Sequence, residues 1–93
     1  MKKLNETEIN TILQDLQGWH FIDNGLETSF EFPNFKDAFS AITRIAFEAE
    51  RLQHHPDWSN SYNTLTIRLT THDADGVTEK DVEFAKLIDE LVA

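Results

Sequence analysis

Residues 19–32 read WHFIDNGLETSFEF, and the reading of this stretch decides the fold. Leu26, Thr28, Phe30 and Phe32 alternate with Glu27, Ser29 and Glu31, which is the two-residue period of a strand with one apolar face. Asn24-Gly25 is a dipeptide favoured in two-residue hairpin turns, so a shorter strand is expected just before it. The stretch is a hairpin whose apolar face needs a cover.

Both flanks supply one. Upstream, Ile9, Ile12, Leu13 and Leu16 recur at helical spacing behind Asn5 and Glu8, the ends of a capping box, and Gly18 is expected to close that helix. Downstream, Phe35, Ala38, Phe39, Ile42, Ile45, Ala46, Ala49 and Leu52 mark one face of a helix of about five turns that must stop near Pro56. A second hairpin follows: Leu65, Ile67, Leu69 and Thr71 alternate with Thr66, Arg68, Thr70 and His72, and Tyr62-Asn63 turns the chain between this strand and a short one before it. Thr78 and Asp81 open a last helix with Val82, Ala85, Ile88 and Leu91 or Val92 inward. The order helix-strand-strand-helix-strand-strand-helix, with adjacent hairpins, implies an α+β fold: a single four-stranded antiparallel sheet with three helices packed on one face.

Composition bounds the function. Residues 1–93 are expected to form one domain, and the chain has no cysteine, so disulfides, thiolate metal ligands and a cysteine nucleophile are excluded. MKKLNETEIN has no apolar run behind its lysines, so neither a signal peptide nor a membrane anchor is expected, and a cytoplasmic location is the plain reading. A formal net charge of −9 repels phosphate backbones and anionic lipid surfaces, which argues against direct nucleic-acid or membrane binding.

The chemistry-bearing residues gather around QHHPDW, residues 53–58. Proline disfavours the α region for the residue before it, so His55 is expected to be extended while His54 sits on the final turn of the long helix, which lets both imidazoles border one pocket. Glu50, four residues before His54, is placed to hold that ring. His72 ends the last strand just before DADG, a loop able to bend it toward the same site, whereas His20 stands without such company. Each residue also has an ordinary explanation. Histidines near helix ends are usually surface or capping residues, Glu50 suits a solvated helix face, Trp58 and Tyr62 suit burial, and Asp81 is explained by capping alone.

Three histidines with nearby carboxylates make zinc the first alternative chemistry. Against it, no HExxH pair occurs, and adjacent histidines on a regular element cannot chelate one ion. Ser59, Ser61 and the threonines lack the glycine context of a nucleophile elbow, and no glycine-rich phosphate loop is present.

The segment EAERLQHHPDWSNSYNTLTIRLTTHDADGVTEKD resembles the pterin-4a-carbinolamine dehydratases. The resemblance lies in the order and spacing of E-A-E, H-H-P-x-W, Y-N, L-T-T-H and G-x-T-x-x-D, while residues 1–47 carry weaker signals such as Gly18-Trp19. It implies dehydration of a 4a-hydroxytetrahydropterin, the species released by aromatic amino-acid hydroxylases, to quinonoid dihydropterin and water, with no metal or organic cofactor. That elimination needs an acid for the departing hydroxyl and a base for the neighbouring ring-nitrogen proton.

By position, the resemblance makes His54 and His72 the acid-base pair, without saying which is which, and His55 a substrate-binding residue. It places Glu50, Pro56, Trp58 and Asp81 along the site. Gln53 departs from the pattern, since an acid often precedes the histidine pair, and this leaves Glu50 as the expected carboxylate partner of His54. A homodimer or homotetramer and a functional link to a hydroxylase are also implied. The alternative is a non-catalytic module, because animal members of the family serve as a dimerisation cofactor for a homeodomain transcription factor and related domains act as assembly factors.

Overall fold

The structure, a computed structural model, describes all 93 residues, Met1–Ala93. Helix α1 (Glu6–Leu13) leads into β1 (His20–Ile22) and β2 (Gly25–Glu31); α2 (Phe35–Leu52) leads into β3 (Asp57–Ser61) and β4 (Thr64–Leu69); and α3 (Glu79–Val92) ends the chain. The four strands form one antiparallel sheet in the order β1-β2-β4-β3, so the two hairpins meet along β2 and β4. This is the expected α+β architecture, with one short 3-10 turn at His72–Ala74 added.

Register fixes which side of the sheet is covered. Trp58, Ile67 and Thr28 lie in one cross-strand row and Phe21, Leu26 and Leu69 in another. Leu26, Leu65, Ile67 and Leu69 are buried in a cluster with Ile45 and Ala49 of α2 and Phe84, Ala85 and Ile88 of α3. Of the alternate positions, Ser29, Glu31 and Thr66 are exposed and Glu27, Thr64 and Arg68 half-buried. That split follows from side chains pointing to opposite faces at successive strand positions.

The caps explain where the helices begin. Asn5 accepts from the Glu8 N–H at 2.8 Å while Glu8 accepts from the Asn5 N–H at 2.9 Å, the full reciprocal box at α1. Asn34 accepts from the Asp37 N–H at α2, and Thr78 with Asp81 forms the box at α3. The end of α1 differs from expectation: the helix stops at Leu13, and turns through Leu16 carry the chain to Gly18, which has a φ of 92°.

The first hairpin turns one residue earlier than its dipeptide suggests. Ile22 pairs with Gly25, so the two-residue turn is Asp23-Asn24, both left-handed with φ of 48° and 63°. Gly25 belongs to the strand, and the Arg68 guanidinium lies across it, where a Cβ would overlap its atoms. Arg68 donates to the carbonyl oxygens of Ile22, at 2.7 Å, and Asp23, and pairs with Glu27 at 2.8 Å. The second turn is at Tyr62-Asn63, as expected. No helix is long and apolar enough to cross a membrane.

Candidate active site

The site grows from two chain reversals. The first is the end of α2. Helical hydrogen bonding stops at Leu52, Gln53 turns left-handed with φ 51° and ψ 44°, and the His54 N–H returns to the Ala49 carbonyl at 3.1 Å. A left-handed residue closed by this six-to-one bond is a common helix ending that favours glycine; here glutamine fills it, with its side-chain amide donating to the Glu50 carbonyl at 2.8 Å. His54 therefore leaves the helix axis instead of completing its last turn. This overturns the expected pairing, since the spacing of four that links Glu50 and His54 in sequence holds only while the chain stays helical.

His54 instead finds its partner in α3. Its Nε2 lies 2.5 Å from Asp81 Oδ1, and its ring packs near Phe84 with centroids 6.4 Å apart. The His54 side chain is 10% exposed and that of Asp81 fully buried. Asp81 Oδ2 accepts from the Thr78 N–H at 2.9 Å and the Thr71 hydroxyl at 2.8 Å, so one carboxylate both caps α3 and holds an imidazole. Glu50 goes to the other histidine: His55 Nε2 lies 2.5 Å from Glu50 Oε2, with both side chains largely in solvent.

The pairing fixes a tautomer. A carboxylate can only accept, so the His54 proton resides on Nε2. No buried polar side-chain atom lacks a partner, and Nδ1 makes no hydrogen bond, so Nδ1 is the nitrogen left open.

The second reversal follows β4. The strand ends at Leu69, three residues before His72, and Thr71 pairs with Gly76 across a tight turn that carries His72, Asp73 and Ala74. Between the two reversals lies a cleft of about 490 Å³. The α2–β3 connection contributes Gln53, His54, His55, Pro56 and Asp57, and the segment after β4 contributes Thr70, Thr71, His72, Asp73 and Ala74, with Lys80 and Met1 at its margin.

Of the residues singled out in the sequence, His54, His55, Pro56 and His72 line this cleft. Three do not. Trp58 is one strand position past Asp57 and so faces the opposite side, beneath Phe39 and Ile42 of α2 beside Leu65. Asp81 sits behind His54, and Glu50 stands outside beside His55. Sequence reasoning missed Asp57, Thr70, Thr71, Asp73 and Lys80 as lining groups. Each is an immediate or near neighbour of a residue it did single out, but only the turns decide which neighbour faces inward. No group of three or more His, Asp or Glu side chains is arranged to hold a metal ion.

Comparison with known proteins bears on the family and the fold. Residues 2–91 match the family described as Pterin 4 alpha carbinolamine dehydratase. A Christiangramia forsetii protein that carries the provisional name pterin-4-alpha-carbinolamine dehydratase is 54% identical over 92 residues, covering 99% of this chain and 95% of the relative. A Brucella melitensis crystal structure described as a transcriptional coactivator/pterin dehydratase superposes with a TM-score of 0.96 at 37% identity, covering 99% of this chain and all of the other (100%). The same fold, at TM-score 0.68 and 18% identity over 81% of this chain and 87% of the other, occurs in a pterin dehydratase-like protein identified as a RuBisCO assembly factor in the α-carboxysome.

Proposed function

The chain belongs to the pterin-4a-carbinolamine dehydratase family, enzymes of the hydro-lyase class, and from that premise we propose that the histidine cleft dehydrates a 4a-hydroxytetrahydropterin. The observation that carries the proposal is His54: one ring nitrogen tied to a buried carboxylate, the other open toward a cleft shared with His55 and His72. A ring held in one tautomer with a carboxylate behind it is prepared to accept a proton, because the positive charge it gains faces Asp81.

His54 Nδ1 then takes the proton from N5 of the pterin, and the N5 electron pair forms the C4a=N5 double bond. The C4a–O bond breaks with its electron pair on oxygen, and His72, exposed on its turn, delivers the proton that lets the hydroxyl leave as water. The products are quinonoid dihydropterin and water, and atoms and charge balance without a further reactant. His55, steadied by Glu50, and Pro56 contact the pterin ring. In this role the protein returns the carbinolamine made by an aromatic amino-acid hydroxylase to the tetrahydropterin cycle.

We further propose that it works as a homodimer or homotetramer. Phe35, Phe39 and Phe47 are exposed along α2, with Phe39 53% and Phe47 72% accessible, and β3 is an unpaired sheet edge. The same surface is what a partner-binding module would use, so that reading is the alternative. A spectroscopic assay of carbinolamine dehydration by the purified protein separates the two. Acceleration above the spontaneous rate that disappears in His54→Ala supports the dehydratase; no acceleration by a folded protein transfers the cleft to the partner-binding reading.

A further inference from the structure

Thr71 lies between the two histidines assigned to proton transfer, and it touches the support of both. Its hydroxyl is 2.8 Å from Asp81 Oδ2 and 2.8 Å from Thr78 Oγ. Its backbone closes the turn that carries His72: its N–H donates to the Gly76 carbonyl at 2.9 Å, and its own carbonyl accepts from the N–H groups of Gly76 at 3.3 Å and Ala74 at 3.1 Å.

We infer that Thr71 is a positioning residue that sets both imidazoles from one place, its hydroxyl fixing the carboxylate that holds His54 while its backbone fixes the turn that presents His72. The inference rests on the dehydratase reading of the cleft and goes beyond it by naming the group that keeps the two proton-transfer rings in register.

Proton accounting supports it. The Asp81 carboxylate has no donor of its own, so the Thr71 proton must point at Oδ2. Thr71 oxygen is then free to accept from the Thr78 hydroxyl, whose oxygen accepts in turn from the Lys80 N–H at 3.3 Å. Each hydroxyl gives one proton and takes one, so donation runs from Lys80 N–H through Thr78 and Thr71 to Asp81, which also accepts from His54 Nε2–H on its other oxygen. Thr78 and Asp81 are both fully buried, where no water can replace a lost donor. Without the Thr71 proton, Oδ2 keeps the Thr78 N–H alone, the carboxylate loses one of the two donors that fix its plane, and the acceptor facing His54 Nε2 is held less firmly.

The test compares Thr71→Val, which removes the hydroxyl at nearly constant shape, with Thr71→Ser, which keeps it. The valine variant is expected to lower kcat by about 10-fold with KM little changed, the lower end for loss of a supporting hydrogen bond behind a working group. By nuclear magnetic resonance, the hydrogen-bonded His54 Nε2–H signal of the wild type should broaden or vanish in Thr71→Val and return in Thr71→Ser together with most of the turnover. If Thr71→Val unfolds, Thr71→Ala makes the same comparison with serine without placing a methyl group against Thr78.

A hydroxyl-free variant with wild-type kcat and an intact Nε2–H signal overturns the inference, while inactivity of His54→Ala in the same assay leaves the dehydratase reading standing. Wild-type turnover in His54→Ala overturns that reading instead, and the ring signal still decides whether Thr71 fixes His54.

Discussion

Two carboxylate–histidine pairs stand side by side in sequence and share one distance, yet they are different devices. His54–Asp81 and His55–Glu50 both measure 2.5 Å, but the first has side chains 10% and 0% exposed and the second 58% and 71%. In the exposed pair water competes for every hydrogen bond, and such pairs typically contribute no more than about 1 kcal/mol. In the buried pair no competitor exists, and the carboxylate is also the end of a helix cap and a hydroxyl chain. Position relative to solvent, not contact distance, separates the ring that is held from the ring that is merely accompanied.

The comparison breaks most readily at the two rings of the proposed proton transfer. His54→Ala and His72→Ala are each expected to reduce turnover by about 100-fold or more once the spontaneous dehydration is subtracted. His55→Ala, by contrast, is expected chiefly to raise KM. Equal losses of kcat at His54 and His55 in steady-state assays would erase the distinction between the pairs.

Asp81→Asn sharpens it next. An amide in place of the carboxylate turns a donor toward a neighbour that already donates: the Thr78 N–H, the Thr71 hydroxyl or the His54 Nε2–H. Thermal or denaturant unfolding should register a loss of about 1–3 kcal/mol, and turnover should fall even in the fraction that remains folded. Glu50→Gln, the matching change in the exposed pair, should alter stability by less than about 1 kcal/mol and leave kcat near that of the parent.

The smallest effect is expected from a strong chelator. Since no cluster of His, Asp and Glu is arranged for a metal, exhaustive chelation should leave the dehydration rate unaltered. A loss reversed by added zinc would reassign the histidines as ligands.

The regular parts of the fold were legible because their signals are local. The capping boxes at Asn5–Glu8 and Thr78–Asp81 and the alternation Leu65-Ile67-Leu69 depend on residues a few positions apart, and each reappears in the structure; along α2 the spacing holds for Ala38, Ile45 and Ala49, while Phe35 and Phe39 of the expected inward face are exposed and Ala41 is buried instead. The errors fall where a distant group decides. Asn24-Gly25 reads as the turn, but Gly25 pairs with Ile22 beneath the Arg68 guanidinium and the turn is Asp23-Asn24. Glu50 looked like the partner of His54, but a left-handed Gln53 breaks the helical spacing and sends the ring to Asp81. Asp81 read as a cap, which it is, and nothing local announced that its second oxygen serves an imidazole 27 positions away.

Arg68 ties together parts of the chain that would otherwise form separately. The carbonyl groups of the first turn are satisfied by a guanidinium 45 and 46 positions further on, so hairpin β1–β2 cannot complete its own hydrogen bonding before β4 has docked. Sequence-distant contacts of this kind delay their reward until a long loop has closed, which slows folding but makes it all-or-none. The first hairpin should therefore gain hydrogen-exchange protection together with the second, and the sheet should open as one unit, leaving no state in which one hairpin frays while the other keeps the cleft in shape.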